Sequence, residues 1–290
     1  MRFIDPTLYA SQRSLPELEL LAAAGAMAVV EPVTWQGLDR RFAETYCDEF
    51  ERLMVAEARR ALSLRLGYAA CLGVPAREAG CPVARRVVEL MPRFLGHERV
   101  AGIGEVGLEQ GSEEEAAIFR AQARLARHHR LPLVVRLPER DRPEMLARLM
   151  TLLGQEGVNP GLVLFNGVRD DELPVLKAAG CWFGLSVGGP EGLSVDRVVH
   201  VLARVGPLRA MVNSAAGRMG GDLLAVPRTA RAMLSLGFAP ELVEQVIYHN
   251  PKAFFSAGRP LALVESGRVG MAGARMGSGD RMRADRAASA

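Results

Sequence analysis

Two charged side chains interrupt apolar runs in which a charge is unexpected. Glu105 stands in VAGIGEVGL (residues 100 to 108), and Arg136 follows the apolar segment LPLVV (131 to 135). A lone buried charge is costly unless it is paired, so each of these side chains needs a partner. A carboxylate in such a place can act as a general base, as a nucleophile or as a metal ligand. We therefore expect Glu105 to be the catalytic residue if the chain is an enzyme.

Other polar residues follow separate apolar runs and complete a candidate ligand-contacting set. The expected ligand-contacting residues are Asp5, Thr7, Tyr9, Glu31, Trp35, Arg136, Asn166 and Asn213, and Ser186 and Ser214 occupy similar positions. Strand ends also face solvent, which is a second reason for polar residues there.

Eight short apolar runs, separated by amphipathic segments, must position these side chains. That alternation is typical of βα units around a parallel sheet. The runs are residues 2–5, 26–32, 67–74, 100–106, 131–137, 161–166, 181–187 and 209–214. The pattern predicts an α/β fold of the (β/α)8 TIM barrel type, a single domain over residues 1–260 with its site at the carboxyl ends of the strands. A doubly wound sheet is the alternative, but its usual Gly-rich first turn is replaced here by DPTLYAS.

Two longer helices are expected between these runs, one from about Leu38 to Leu64 and one from Ser112 to His129. The second begins with SEEE, in which Ser112 suits the N-cap and the acidic residues suit the positive helix terminus. Residues 261–290 are rich in Gly, Ala, Arg and Met without apolar periodicity, and we expect a flexible, disordered tail.

Composition limits the possible partners. The net charge of +3 comes from 36 basic and 33 acidic residues, so no electrostatic feature suggests a nucleic acid. No apolar stretch is long enough for membrane insertion, and the four cysteines lack metal-site or disulfide-framework spacing. We expect a cytoplasmic protein with unpaired thiols. A small molecule or a protein is the expected partner.

The five histidines are placed unfavourably for a metal site. None of them ends a predicted strand: they are His97, His128, His129, His200 and His249. A catalytic metal needs several His, Asp, Glu or Cys ligands that converge. We therefore expect no metal and no other cofactor.

The order of several segments resembles the TatD-like branch of the amidohydrolase superfamily, whose members are metal-dependent hydrolases. The resemblance runs from about Arg2 to Ser256, and GIGEVGL from Gly102 is its most specific motif. The supporting segments are IDP from Ile4, AVVEP ending at Pro32, LPLVVRLP, NSAA from Asn213, AVPRTAR from Ala225 and HNPKAFFS ending at Ser256. Within that branch the chain looks closest to the TatD-like proteins of ebo-type clusters, which are associated with handling or export of secondary metabolites.

The resemblance also implies which metal ligands this chain has replaced. The family's H-x-H after the first strand falls on Thr7, Leu8 and Tyr9, and its glutamate after the fourth strand is retained as Glu105. The later family ligands fall on Arg136, on Asn166 or Gly167, and on Gly217. Because Arg136 is a fixed cation, we expect it to occupy the space of the metals and to grip Glu105, and also Asp5, in a two-point contact.

Three functions remain open from the sequence. The first is a pseudoenzyme with a degenerate metal site that binds a small molecule or a protein partner. A divergent hydrolase would instead use Glu105 as a metal-independent base or nucleophile, although a glutamate firmly paired with arginine is a poor base. The third is a structural subunit of a multiprotein complex.

Overall fold

The computed structural model describes residues 1–188, 192–217 and 220–263. Its eight strands form one sheet in sequence order, and each neighbouring pair from the first strand to the eighth is parallel. The predicted (β/α)8 barrel is therefore confirmed, and all eight predicted runs contain a strand. The strands are β1 Phe3–Asp5, β2 Ala26–Pro32, β3 Gly67–Leu72, β4 Val100–Gly107, β5 Leu133–Arg136, β6 Val163–Asn166, β7 Trp182–Ser186 and β8 Ala210–Asn213.

The segments that follow β1 and β8 meet beside each other. Leu8 and Ala216 form a parallel bridge, the Tyr9 N–H donates to Ala216 O, and the Ala215 N–H donates to Thr7 O. This contact brings the chain after β1 against the chain after β8, at the carboxyl end of the strands, where the site of such a barrel is expected.

Helices follow the strands and cover the outside of the barrel. They are α1 Leu15–Ala23, α2 Ala43–Glu51, α3 Ala58–Ser63, α4 Ala84–Leu90, α5 Glu113–His129, α6 Arg142–Gln155, α7 Leu173–Ala179, α8 Val195–Val205, α9 Ala225–Ser235, α10 Pro240–Glu244 and α11 Asn250–Phe255. A π-helical segment, Arg52–Glu57, joins α2 to α3, and a second, Gln245–His249, joins α10 to α11. None of the helices in the described part of the chain is long and apolar enough to cross a membrane.

The helix expected from Leu38 begins only at Ala43. Its predicted first residues form a connecting segment instead, because Arg40 is fixed by Glu78. The Arg40 guanidinium lies 2.7 Å from Glu78 Oε2, and the Arg40 N–H donates to Glu78 Oε1 at 3.2 Å. The same guanidinium lies over the Tyr46 ring, 4.3 Å from its centroid. This buried ion pair competes with helix formation over residues 38–42.

Strand β4 carries Glu105 and is buried along its whole length. It packs closely on β5: a Cβ at Gly104 would lie 2.6 Å from Val134 Cβ and 2.9 Å from Val134 O. Such distances are shorter than packed atoms allow, so position 104 requires glycine. The GxGE pattern therefore fits the narrow space that leads to Glu105.

The connection from β4 to α5 is held by one carboxylate. Glu115 accepts hydrogen bonds from the backbone N–H groups of Glu109, Gln110 and Gly111, at 3.0, 3.0 and 2.8 Å to Oε2. The Ser112 hydroxyl accepts from the Glu115 N–H at 3.2 Å, which confirms the predicted N-cap. The acidic start of α5 thus fixes the loop that follows Glu105's strand.

The chain remains packed beyond the predicted domain boundary at residue 260. Leu261 is buried, and Leu263 packs against the core. Residues 264–290 of the predicted tail lie outside the described residues. The four cysteines are free: Cys71 and Cys181 are buried, and Cys47 and Cys81 are half-buried.

Replacing Glu115 with alanine should lower the free energy of unfolding by about 2–3 kcal/mol, because three backbone N–H groups lose their acceptor. The exposed Glu114, one residue earlier in the same helical turn, is the matched control, and Glu114→Ala should stay within about 0.5 kcal/mol. Urea unfolding of both variants measures the difference. Equal losses in the two variants would contradict this role of Glu115.

Candidate active site at the barrel mouth

Glu105 is buried and is held by two neutral donors. The Tyr9 hydroxyl donates to Oε2 at 3.1 Å, and the Asn166 amide donates to Oε1 at 3.2 Å. Only 6% of Glu105 is exposed. The donors come from the segment after β1 and from the end of β6, so the carboxylate is bound from two separate parts of the barrel.

Arg136 contacts the same carboxylate more weakly. Its Nη1 atom lies 3.8 Å from Glu105 Oε2, an ion-pair contact that is longer than a hydrogen bond. The arginine side chain is 44% exposed. The two residues thus meet, but this contact is not the two-point grip that the sequence suggested. A half-exposed guanidinium at this distance contributes less than a buried pair because solvent screens it.

Asn166 connects Glu105 to the rest of the site. Its Nδ2 also donates to Thr7 Oγ1 at 2.8 Å, and its Oδ1 accepts from Asn213 Nδ2 at 3.5 Å. The Thr7 hydroxyl in turn donates to Pro6 O at 2.7 Å. We call Asp5, Thr7, Tyr9, Glu105, Asn166 and Asn213 the mouth cluster.

Gly184 of β7 makes room for the two asparagines. A Cβ at this position would overlap Asn166 Oδ1 and would lie 2.9 Å from Asn213 Nδ2. Sequence reasoning did not select Gly184. The available signal was a glycine inside the apolar run CWFGLSV, because a strand glycine often marks the close approach of another group.

Asp5 is the fully buried carboxyl group of the mouth cluster. Its Oδ1 accepts from the N–H groups of Thr7 and Ser214, each at 3.2 Å. Burial raises the pKa of Asp5 to about 6, and the hydrogen bonds from Ser214 and Thr7 offset part of that increase. The predicted contact between Asp5 and Arg136 is replaced by these backbone donors.

The Tyr9 ring fills the space in front of position 217. A Cβ at Gly217 would lie 2.8 Å from Tyr9 Cδ2 and 2.7 Å from Gln12 Oε1. Burial, and then the neighbouring Glu105 carboxylate, raise the pKa of Tyr9 above its usual range. The phenol is therefore protonated at neutral pH and serves as a hydrogen-bond donor.

Glu31, at the end of β2, lies outside the mouth cluster. It accepts from the Ser11 N–H at 3.1 Å, from the Ser11 hydroxyl at 2.5 Å and from the Tyr68 hydroxyl at 2.9 Å. It thereby fixes the 3-10 turn Ala10–Gln12, directly after Tyr9. Burial raises the pKa of Glu31 to about 7.

Trp35 lies on the rim instead of in the cluster. It is half-buried, its Nε1 donates to Asp39 at 3.1 Å, and the Arg77 guanidinium lies 5.0 Å from the centroid of its ring. Of the predicted ligand-contacting residues, Glu31 and Trp35 are thus fixed by other neighbours.

Comparisons with known proteins agree on the architecture. The chain is 24% identical over 253 residues to an uncharacterized metal-dependent hydrolase of Methanocaldococcus jannaschii, covering 87% of this chain and 99% of the relative. A TatD-like protein of Archaeoglobus fulgidus superposes with a TM-score of 0.71 at 21% identity, covering 87% of this chain and 99% of that one. The chain has the TatD-like fold. A phosphotriesterase homology protein of Escherichia coli, solved with phosphate in its active site, gives a TM-score of 0.62 at 15% identity over 88% of this chain and 98% of that chain. No protein-family model matches.

The part of the barrel mouth that the structure describes does not have the donor set of a divalent metal site. Around Glu105 it presents a phenol, a hydroxyl, two amides and a guanidinium, whereas zinc and related metals need several thiolate, imidazole or carboxylate ligands. Among the described residues, no three of the His, Cys, Asp and Glu side chains are grouped so that they could hold a metal ion. Both Glu105 oxygens already accept hydrogen bonds. The described residues therefore do not fit the divalent metals that the resemblance implies.

Replacing Tyr9 with phenylalanine should lower the free energy of unfolding by about 1–2 kcal/mol, because Glu105 stays buried and loses one donor. Tyr248→Phe is the control, since Tyr248 contributes its ring to cation contacts with Arg2 and Lys252. It should change stability by less than about 0.5 kcal/mol. Chemical denaturation of both variants is the measurement. An unchanged free energy of unfolding in Tyr9→Phe would contradict the hydrogen bond from Tyr9 to Glu105.

The free energy of unfolding should decrease as the pH rises, because of Glu31. Burial raises its pKa from 4.5 to about 7, so the folded chain binds this proton more tightly than the unfolded chain. The contribution is complete below about pH 4.5 and is lost towards pH 7, at about 1.4 kcal/mol per pH unit. Urea unfolding across this range should show a shallower slope for Glu31→Gln and the original slope for Glu114→Gln. An unchanged slope in Glu31→Gln would contradict the assignment.

Proposed function

We propose that the chain is a TatD-like member of the amidohydrolase superfamily in which hydrogen bonds have replaced the metal site, and that it binds a ligand without hydrolysing it. One observation carries the proposal. Tyr9 and Asn166, which stand where the resemblance expects metal-binding histidines, both donate to the retained Glu105.

The comparisons support the lineage in this proposal. The archaeal relative matches over almost its whole length and is called a metal-dependent hydrolase, and the TatD-like structure matches over a similar span. The replaced positions support the loss of its chemistry. Each substituted side chain for which a contact is described satisfies a neighbour: Thr7 accepts from Asn166, and Tyr9 donates to Glu105.

A metal-independent hydrolase is less compatible with the same geometry. A base or nucleophile must approach a substrate, and Glu105 is only 6% exposed with a donor on each oxygen. Using Glu105 would require breaking one of these bonds and opening the cluster. Binding at the rim requires neither change.

The rim offers groups suited to binding. Arg136 is 44% exposed, and the Trp35 ring carries the Arg77 guanidinium. Leu38 and Phe42, in the segment that follows β2, are 74% and 65% exposed. The Arg77 guanidinium over the Trp35 ring, together with exposed apolar side chains in the same segment, favours a ligand with an anionic group and an apolar body.

Two classes of ligand fit this description, a secondary metabolite and an acidic segment of a partner protein. The association of ebo-type TatD-like proteins with metabolite handling supports the first, and we propose it. The exposed Leu38 and Phe42 favour a protein partner as the second candidate. We propose the cytoplasm as the compartment, which the four free cysteines support.

Metal analysis tests the proposal directly. Protein purified without chelator and dialysed should retain less than about 0.1 divalent metal ion per chain, because a single carboxylate does not hold such an ion. Screens with phosphodiester, phosphotriester and ester substrates should show no activity that depends on added Mn²⁺ or Zn²⁺. Mass spectrometry of the metals and substrate turnover are the measurements.

Glu105→Gln is the matched control for this experiment. Metal bound nonspecifically elsewhere persists in this variant, whereas metal bound at the mouth is lost. One tightly bound metal ion in the original protein that disappears in Glu105→Gln would overturn the proposal, as would hydrolysis that disappears with it.

A further inference from the structure

An apolar groove lies between α1 and α9 on the outside of the barrel. Its volume is about 170 Å³, and its most buried lining residues are Phe3 and Ile247. Every lining side chain except that of Arg231 is apolar. A groove of this size is smaller than most small-molecule sites, so it suits one large apolar side chain better than a whole ligand.

Exposed apolar side chains surround this groove. Ala24 lines it from α1, and the Ala24 N–H donates to Leu20 O at 2.9 Å, so Leu20 lies one helical turn before Ala24 on the same face of the helix. Leu20 is 50% exposed. Met1 and Leu234 also line the groove and are 56% and 36% exposed. An apolar groove with exposed apolar residues beside it indicates an interaction surface.

Two opposite charges on the same surface have no partner. Arg231 lines the groove from α9 and is exposed, and Glu19 is exposed directly beside Leu20 on α1. Neither side chain has a hydrogen bond or an ion pair among the described residues. The surface thus carries a cation at the groove and an anion beside its protruding leucine.

We propose that the α1/α9 face, which consists of Glu19, Leu20, Ala24, Arg231 and Leu234, binds the same face of a second copy of this chain. In a twofold dimer one patch contacts itself, so every contact is made twice. Leu20 of each copy enters the groove of the other, and Glu19 of each copy pairs with Arg231 of the other.

The charges favour a second copy over other occupants. An anionic lipid surface attracts clusters of cations, whereas this face offers one unpaired arginine and one unpaired glutamate among its described residues. A small anionic ligand would pair with Arg231 but would leave Leu20 and Glu19 without a contact. A self-complementary face accounts for all of these features. The inference concerns a surface outside the mouth cluster and does not depend on the proposed function.

Sedimentation equilibrium of the full chain tests the dimer. Between about 1 and about 200 µM the original protein should pass from monomer to dimer by mass action. Leu20→Lys should raise the dissociation constant at least about tenfold, because both copies lose an apolar contact. Leu38→Lys makes the same change at another exposed leucine, and it should alter the constant by less than about twofold. A monomer at every concentration, or equal effects of the two variants, would overturn the proposal.

An exchange of charges identifies the face. Glu19→Arg and Arg231→Glu should each raise the dissociation constant about tenfold, because each brings like charges together between the copies. The variant with both changes restores opposite charges, and its constant should return to within about threefold of the original. Both residues are exposed, so thermal unfolding of each monomer should be unchanged, which controls for misfolding. A double variant that dimerises no better than the single variants would overturn the proposal.

Discussion

The mouth of the barrel is organised by the need to satisfy one buried carboxylate. Glu105 cannot be exposed by the strand that carries it, because β4 is buried along its length, so each oxygen needs a donor. Tyr9 and Asn166 supply those donors. Asn166 is also hydrogen-bonded to Thr7 and Asn213, so its orientation positions these two side chains as well. A metal would neutralise such a group with charge. Here hydrogen bonds from two neutral groups stabilise the carboxylate, and the half-exposed Arg136 adds a weaker ion-pair contact.

The fold was predictable because its signals are local. Each strand is a short apolar run, and β2 was expected with its observed bounds, Ala26–Pro32. The N-cap of α5 was also predictable, because Ser112 and Glu115 are only three residues apart. The start of α2 was not, because the ion pair that competes with the helix joins Arg40 to a residue 38 positions away. Periodicity within a helix contains no information about such a partner.

The residues of the site were easier to predict from the sequence than the hydrogen bonds between them. Interrupted apolar runs singled out Glu105 and Arg136, and the contact expected between them from the resemblance is present at 3.8 Å. The stronger donors to Glu105 lie 96 and 61 positions away in the chain. Arginine has a long side chain that can reach solvent, whereas a buried phenol cannot. A prediction based on charge alone therefore named Arg136 instead of Tyr9 as the main partner of Glu105. Glu31 shows the other limit: a polar residue at a strand end can serve the neighbouring turn instead of the mouth.

The contact between Tyr9 and Gly217 makes these two positions interdependent. Any side chain at 217 would meet the Tyr9 ring, and the ring is held in place by its bond to Glu105. Substitutions at the two positions are therefore epistatic, since residues in contact show non-additive effects. A carboxylate introduced at 217 while Tyr9 remains would be penalised sterically before it could bind anything. Under the proposed exchange of metal for hydrogen bonds, a ligand could therefore return at position 217 only together with a smaller residue at position 9.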